Sequence, residues 1–232
     1  IVDAPQLALA SADVTNFDPA TGGADRETIE HAVKNAPAVF RSLKRAVTTA
    51  DYEALALNFN GVGKVRAEAG NFNTVNLFVA PAGGGNVSDL FEANLLAYFE
   101  DKRPASTILE IRDVDYVAVY VTAEIGVGSY YSQEEISGKV KDAGRDLLAF
   151  DNVNFAKTIY LSKFFEAIEA IEGVEFVNIA EFRREGKLPN NGQPPEDFES
   201  SGKILFESNE IPKIPGEPAY ADGIRVLLEG EF

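Results

Sequence analysis

A short helix that runs through a glycine into a strand constrains the fold of this chain more than any other feature. Its first copy spans residues 45–65. Thr48, Thr49 and Asp51 offer side-chain oxygens that can cap the start of a helix. One apolar stripe follows at helical spacing, formed by Tyr52, Leu55, Ala56 and Phe59. Gly61 is predicted to end the helix, and the valines after it begin a strand.

The second copy follows about a hundred residues later and repeats the pattern Gly-Val-x-x-Val. Its helix, which we expect Thr158 or Ser162 to cap, has its own apolar stripe, made of Leu161, Phe164, Phe165, Ile168 and Ile171. Gly173 ends this helix and Val174 opens the next strand. Two instances do not make a repeat array, but they indicate two similar layers in tandem.

The elements around these passages predict the fold class. Helix, strand, strand, helix and strand follow one another up to Arg112, and strict alternation from Val117 to Ile125 marks the clearest strand. Six of the eleven prolines lie after Arg183, where only residues 203–207 and 224–228 resemble strands. We therefore predict an α+β fold of two small tandem helix-on-sheet, ferredoxin-like layers. An extended N-terminal arm precedes them and a loop-rich β tail follows.

The expected boundaries follow composition. Residues 1–25 form a linker or arm, 26–113 a first α+β domain, 114–182 a second, and 183–232 a loop-rich C-terminal extension with short strands. A short helix is expected from Arg26 to Asn35, with Ile29 and Val33 on its apolar side. The chain begins with Ile1 and contains no methionine, so we expect it to be a piece of a longer protein.

Composition excludes several classes of function. The formal net charge is −16, which opposes binding to nucleic acid or to an anionic membrane. Absence of cysteine excludes disulfides, thiolate catalysis and zinc–thiolate sites. No apolar run approaches the roughly 20 residues of a membrane span.

No group of residues forms a convincing active site. His31, the single histidine, is predicted to be a solvated surface residue. Gly83-Gly84-Gly85 joins a strand to a helix but lacks the Lys-Ser/Thr of a phosphate-binding loop. Asp113 and Asp115 could bind a divalent cation or act as a carboxylate pair, although a solvated acidic turn is the commoner arrangement. The sequence predicts no catalytic residue, no cofactor and no metal, and hence no enzyme.

Seven residues are candidates for contacts with a neighbouring subunit instead. Two basic clusters could pair with an acidic neighbour, and one tyrosine pair could lie exposed. They are Arg41, Lys44, Arg45, Arg183, Arg184, Tyr130 and Tyr131.

Several ordered motifs together resemble the baseplate J-like proteins of contractile phage tails. The most recognisable part is Arg45-Ala46-Val47-Thr48 with Asp51-Tyr52-Glu53 and Gly61-Val62. The other matching motifs are Gly22-Gly23-Ala24-Asp25-x-Glu27, Ala36-Pro37, Val75–Val79 with Pro81-Ala82-Gly83-Gly84, Lys102-Arg103-Pro104, Val117–Ile125, Tyr160-Leu161-Ser162 and Glu172-Gly173-Val174. The resemblance covers roughly residues 22–182.

This resemblance implies a structural, non-enzymatic role. Such a protein would be a wedge component of a tail baseplate or related injection system, assembled in the host cytoplasm into a ring around the central tube. Its partners would be other copies of itself and neighbouring baseplate proteins. Two alternatives are a receptor- or carbohydrate-binding module of a tail, which needs an exposed aromatic platform, and a carboxylate-based glycoside hydrolase.

Overall fold

The first layer begins with a helix whose start is fixed by its own side chains. The computed structural model describes residues 45–186 and 201–229, together with Ile29, Val33 and Glu199. Helix α1 (Thr49–Leu57) is preceded by Thr48, whose hydroxyl accepts the N–H of Asp51 while the Asp51 carboxylate accepts the N–H of Thr48 at 2.8 Å. This capping box satisfies two N–H groups that the helix itself leaves without a partner.

Three strands and a second helix complete this layer in the predicted order. Strands β1 (Val62–Ala69) and β2 (Thr74–Pro81) pair antiparallel, helix α2 (Asp89–Phe99) follows, and strand β3 (Ile108–Arg112) pairs parallel to β2. The resulting sheet has the order β1-β2-β3. Ser88 caps α2, as predicted.

The core of the first layer lies between α1, α2 and this sheet. Its buried side chains all come from a contiguous stretch of the chain and are Ala46, Tyr52, Leu55, Ala56, Val62, Ala67, Leu77, Val79, Leu95, Phe99 and Leu109. The predicted stripe of α1 therefore points inward, because three of its four members are buried.

The second layer is built around one long strand. Strand β4 (Asp115–Val127) is followed by helix α3 (Gln133–Leu148), strand β5 (Ile159–Tyr160), helix α4 (Leu161–Glu169) and strand β6 (Val174–Arg184). β6 pairs antiparallel with β4 over most of its length.

Strands from the C-terminal segment complete this sheet. β8 (Glu210–Lys213) and β9 (Arg225–Leu228) both pair parallel to β4, while β7 (Lys203–Ile204) pairs with β5 in a separate two-stranded sheet. A 3₁₀ turn (Pro218–Tyr220) lies between the last two strands. The sequence does not indicate β8, because Pro212 has no N–H to donate to a ladder and so argues against a strand.

Described residues of the tail are part of the second core. Ile204, Phe206, Ile211 and Ile224 are buried together with side chains of β4, α3, α4 and β6. The two layers also share a strand. Leu77 and Val79 of β2 lie in the first core, whereas Ala80 belongs to the second and Phe78 packs against it.

Comparison with the sequence confirms the fold class and corrects two details. Neither Thr158 nor Ser162 caps α4: the N-cap is Tyr160 and makes no side-chain cap bond. The first N–H of this helix, that of Leu161, instead donates to the carbonyl of Gly202 at 3.0 Å, so the tail replaces a side-chain cap. Ile29 and Val33 are helical, but both side chains are exposed. His31 lies outside the described residues.

Candidate functional site

The acidic pair at the junction of the layers fastens two loops. The Asp113 carboxylate accepts the N–H of Val87 at 2.9 Å, and the Asp115 carboxylate accepts the side-chain amide of Asn209 at 2.6 Å. Across the described ranges, no three His, Asp or Glu side chains come together in a way that could hold a metal ion. The pair therefore stabilises the connections between the elements.

The glycine-rich connection lines a cavity between the layers. Gly83, Gly84 and Gly85 all have positive φ, and the Tyr116 hydroxyl donates to the carbonyl of Gly85 at 3.1 Å. A cavity of about 430 Å³ lies there, and its walls include Phe150 and Lys213. The glycines thus form a turn that connects β2 to α2 and lies against Tyr116, as expected for a strand-to-helix connection.

A polar cluster on β4 and β6 is the arrangement that most resembles a site. The Glu181 carboxylate accepts the Thr122 hydroxyl at 2.6 Å, the Tyr220 hydroxyl, and Nε of Arg183 at 2.8 Å. The guanidinium of Arg183 stacks over the ring of Tyr120, 3.9 Å from its centroid. Each polar group faces a partner from the same chain, so the cluster joins the 3₁₀ turn of the tail to the sheet.

The ionisation of this cluster follows from its partners. Burial would raise the pKa of Glu181, but hydrogen bonds from Thr122 and Tyr220 and the charge of Arg183 outweigh burial and lower the pKa. Burial, followed by the hydrogen bond to the Glu217 carboxylate, raises the pKa of Tyr120 to about 12. Glu181 is therefore ionised and Tyr120 neutral at physiological pH, which suits a permanent link better than proton transfer.

The candidate interface residues have different surroundings. Arg184 donates to Glu210 at 2.6 Å and to the carbonyl of Leu205, so both basic residues of β6 bind within their own layer. Tyr131 donates to Glu172 at 3.1 Å, while Tyr130 is 97% exposed. Arg45 is exposed, and Arg41 and Lys44 lie outside the described residues.

A second exposed aromatic residue, not identified from the sequence, stands at the tip of the β1–β2 hairpin. Phe72 is 94% exposed and has φ 53°, and Asn73 after it has φ 59°. The N–H of Thr74 donates to the carbonyl of Asn71, so these are the central residues of a four-residue turn with positive φ at both. A left-handed conformation costs a residue with a side chain roughly 1–2 kcal/mol. Asn tolerates this conformation, but Phe does not favour it.

At the other end of β1 an open groove lies between the end of α1 and helix α2. Its volume is about 540 Å³, and the ring of Phe59 packs edge-on against Phe91 with centroids 5.6 Å apart. All eight lining residues are uncharged: Asn58, Phe59, Asn60, Ser88, Leu90, Phe91, Asn94 and Tyr98. Leu90 is 58% exposed. No described residue forms a hydrogen bond with the side-chain amides of Asn58, Asn60 and Asn94, which leaves these amides able to bind a ligand.

The helix, hairpin and groove just described lie in a part of the chain that a family model matches. Residues 44–112 match the model of the baseplate J-like central domain. Over these residues the chain is similar to the baseplate J-like family. The matched residues coincide with the first layer. They are a shorter range than residues 22–182, over which the sequence motifs resemble the family, but they include the most recognisable of those motifs.

A likeness in fold extends beyond the matched residues. One chain in the cryo-EM structure of the anti-feeding prophage baseplate, 6-fold symmetrised, has a similar fold, with a TM-score of 0.56 and 14% sequence identity. The similarity covers 81% of this chain and 42% of that one, so the sequence spans less than half of its structural neighbour. No curated protein sequence matches. At this identity, the likeness shows a shared fold alone.

Within the ranges that the structure describes, no helix has the length and apolar character needed to cross a membrane. The groove and Phe72 had no sequence signal beyond an aromatic residue in a turn and three scattered asparagines, because their role depends on which residues the fold leaves exposed.

Proposed function

We propose that this chain is a structural component of the baseplate of a contractile tail or injection system, where it packs as a wedge into a ring around the central tube. The observation that carries the proposal is the match of residues 44–112 to the baseplate J-like central domain. Its location would be the tail baseplate, and its partners would be further copies of itself and neighbouring baseplate proteins.

The hydrogen bonds made by polar groups in the described residues support a structural role. Glu181, Asp113 and Asp115 all bind groups of the same chain, and they connect loops and the tail to the sheets. An enzyme would instead aim some of its titratable groups at a cleft. Among the described residues, Asp113 binds Val87 and Asp115 binds Asn209, which gives no support to the alternative of a carboxylate-based glycosidase.

Contacts to neighbouring subunits are proposed at exposed rather than internally paired residues. Tyr130 is 97% exposed, and a tyrosine offers a large apolar ring together with a hydroxyl. Arg45 is exposed as well, whereas the guanidinium groups of Arg183 and Arg184 bind Glu181 and Glu210. We therefore place Tyr130 and Arg45 first among the candidate contact residues, ahead of Tyr131, whose hydroxyl binds Glu172.

Particle shape and stoichiometry test the proposal. The purified chain, alone and together with co-expressed baseplate proteins, is expected to form oligomers or rings in electron microscopy and in light scattering. The Tyr130→Ser variant should fold normally and associate more weakly. A chain that stays monomeric with every partner and hydrolyses polysaccharide would overturn the structural role, and specific binding to a glycan array would favour the carbohydrate-binding alternative.

A further inference from the structure

Two uncharged surfaces of the first layer stand at opposite ends of one strand. Asn58 and Asn60 of the groove precede β1, and Phe72 follows it. An eight-residue strand is about 26 Å long. Phe72 therefore cannot reach the groove of its own chain.

The exposed ring of Phe72 is not part of the core of the layer. A buried Phe would stabilise the fold, and a Gly would suit the left-handed backbone, yet position 72 holds an exposed Phe with φ 53°. A backbone outlier that does not stabilise the fold points to a function. An aromatic ring held on a short, hydrogen-bonded turn is already ordered before it binds, which lowers the entropy cost of docking.

The groove is complementary to this tip in composition. Its floor of aromatic rings suits a phenyl group, since aromatic pairs favour edge-to-face contacts like that of Phe59 with Phe91. The tip places Asn71 and Asn73 on either side of Phe72, and the groove carries Asn58, Asn60 and Asn94. A side-chain amide is both donor and acceptor, so amides from the two surfaces can pair with each other.

The lack of charge on both surfaces allows a second copy to be the occupant. Each chain has a net charge of −16, so two copies repel one another unless they meet through uncharged surfaces. None of the five residues 70–74 is charged, and neither is any residue that lines the groove. A basic partner would gain nothing from such a neutral groove.

We propose that the hairpin tip of one copy docks in the groove of the next, with Phe72 as the anchor, so that copies associate head to tail. A heterologous contact of this kind closes into a ring when its rotation permits. This inference rests on the proposed baseplate role and deepens it by naming the surfaces through which copies meet.

The absence of cysteine from the chain allows a direct test. Asn71→Cys beside the anchor, and Asn60→Cys and Asn94→Cys in the groove, are made as single variants that all keep Phe72. The Asn71→Cys variant is then mixed with each groove variant under mild oxidation. A disulfide forms only when the two Cα atoms approach within about 7 Å. The mixed pair should give a covalent dimer, and mass spectrometry should find the tip peptide joined to the groove peptide.

Matched controls distinguish a disulfide formed in a docked complex from one formed by random collision. Each single variant alone, and Asn71→Cys mixed with Gly138→Cys on helix α3, should stay monomeric on a non-reducing gel. The double variant Asn71→Cys/Asn60→Cys should form a ladder of multimers, because about 26 Å of strand prevents a bond within one chain.

A further variant distinguishes an effect on folding from an effect on docking. Phe72→Gly removes the ring and accepts the left-handed backbone, so the melting temperature should not fall. Self-association should weaken roughly 10- to 100-fold, as expected for the loss of one buried aromatic side chain. A lower melting temperature with unchanged association would show that Phe72 serves the fold and would overturn the proposal.

The outcomes distinguish this inference from the wider one. Rings or oligomers without a disulfide between tip and groove would overturn head-to-tail docking and leave the baseplate role standing. A disulfide from the Asn71→Cys variant to a different baseplate protein, with none to the groove, would overturn the choice of a second copy. A chain that never associates would contradict both.

Discussion

The two layers of this chain reach similar architectures by different routes. Every side chain in the first core comes from the stretch between Ala46 and Leu109, whereas the second core extends from Ala80 to Ile224. In the first layer, each strand pairs with a strand that is near in sequence. In the second, β4 pairs with β8 and β9, which lie almost a hundred residues later.

This difference indicates where each layer obtains its stability. Local contacts stabilise the first layer, so the sequence patterns that predict its helices and strands lie within short stretches. The second layer depends on a proline-rich segment that covers one sheet edge and supplies four buried apolar residues, Ile204, Phe206, Ile211 and Ile224. Loop closure over such distances has an entropy cost, and burial of these side chains must outweigh it.

Truncation of the tail should have the largest effect, and it should destabilise the second layer much more than the first. A chain ending at residue 200 loses the four buried tail residues, each worth about 1.5–3 kcal/mol. Their sum approaches the total stability of a typical domain, so the second layer should unfold while the first keeps its fold. Hydrogen exchange should show protection lost in β4 and β6 but kept in β1 and β2.

The control for truncation lies in the same segment. Leu205→Ala removes an exposed side chain and should change the free energy of unfolding by no more than about 0.5 kcal/mol. Full protection of β4 in the truncated chain would show that the tail covers the second layer without stabilising it.

Glycine substitutions compare the two helix-to-strand passages directly. Gly61 and Gly173 have φ 92° and 104°. A Cβ at Gly173 would lie 2.8 Å from Cγ of Tyr131 and 2.9 Å from Cδ1 of the buried Ile136, so Gly173→Ala should cost roughly 2–4 kcal/mol. At Gly61 the nearest atom is Cε2 of Phe91, at 2.9 Å. Gly61→Ala should therefore cost less, about 1–3 kcal/mol.

Chemical denaturation measures both substitutions, with Gly138→Ala in helix α3 as the matched control. No atom lies within 4 Å of a Cβ at Gly138, so this change should stabilise the protein by about 0.5–1 kcal/mol. A Gly61→Ala variant less stable than Gly173→Ala would reverse the proposed ranking of the two passages.

Acid should weaken the link between the tail and the second layer. The pKa of Glu181 is lowered in the folded state, so its ionised form contributes stability at neutral pH. That contribution begins to fall as pH drops below the ordinary value of 4.5 and disappears once pH is below the folded-state pKa. Glu181→Gln should cost about 1–3 kcal/mol at neutral pH and flatten this acid dependence.

Denaturation midpoints of both proteins, measured from neutral to acidic pH, test the role of Glu181. Thr122→Val removes one donor and leaves the carboxylate, so this variant should keep an acid dependence. Parallel pH curves for Glu181→Gln and the unsubstituted chain would exclude Glu181 as the group responsible.

The smallest expected effect concerns helix starts. Thr48→Ala removes the hydroxyl that caps α1 and should cost about 1 kcal/mol. Ser162→Ala at the start of α4 should cost little, because Tyr160 is the N-cap there and makes no side-chain cap bond. Equal losses in thermal denaturation would show that the two helices begin in the same way after all.

Sequence reasoning succeeded where the decisive contacts are local. The cap at Thr48, the glycine at Gly61 and the stripe of α1 each involve residues within one or two turns, so their spacing determines their structure. The family resemblance was also carried by this layer and is confirmed there by the matched residues 44–112. The predicted domain boundaries stay a prediction.

Long-range contacts explain what could not be predicted. Thr122 and Tyr220 approach to 3.4 Å although 98 positions separate them, and neither has a local signal for the cluster. Helix α4 has no side-chain cap, because the carbonyl of Gly202 in the tail accepts the N–H of Leu161 instead. Phe72 shows the same limit: the sequence places it in a turn, but only the fold reveals that nothing covers it.

The strand shared by the two cores has a consequence for insertions. Side chains alternate along β2, so a shift of one position would turn Leu77 and Val79 away from the first core and place Phe78 and Ala80 there. Both layers would then be mispacked by a single added residue. The number of residues in the hairpin before β2 therefore sets the alignment of the whole molecule, and changes in loop length should be tolerated elsewhere but not there.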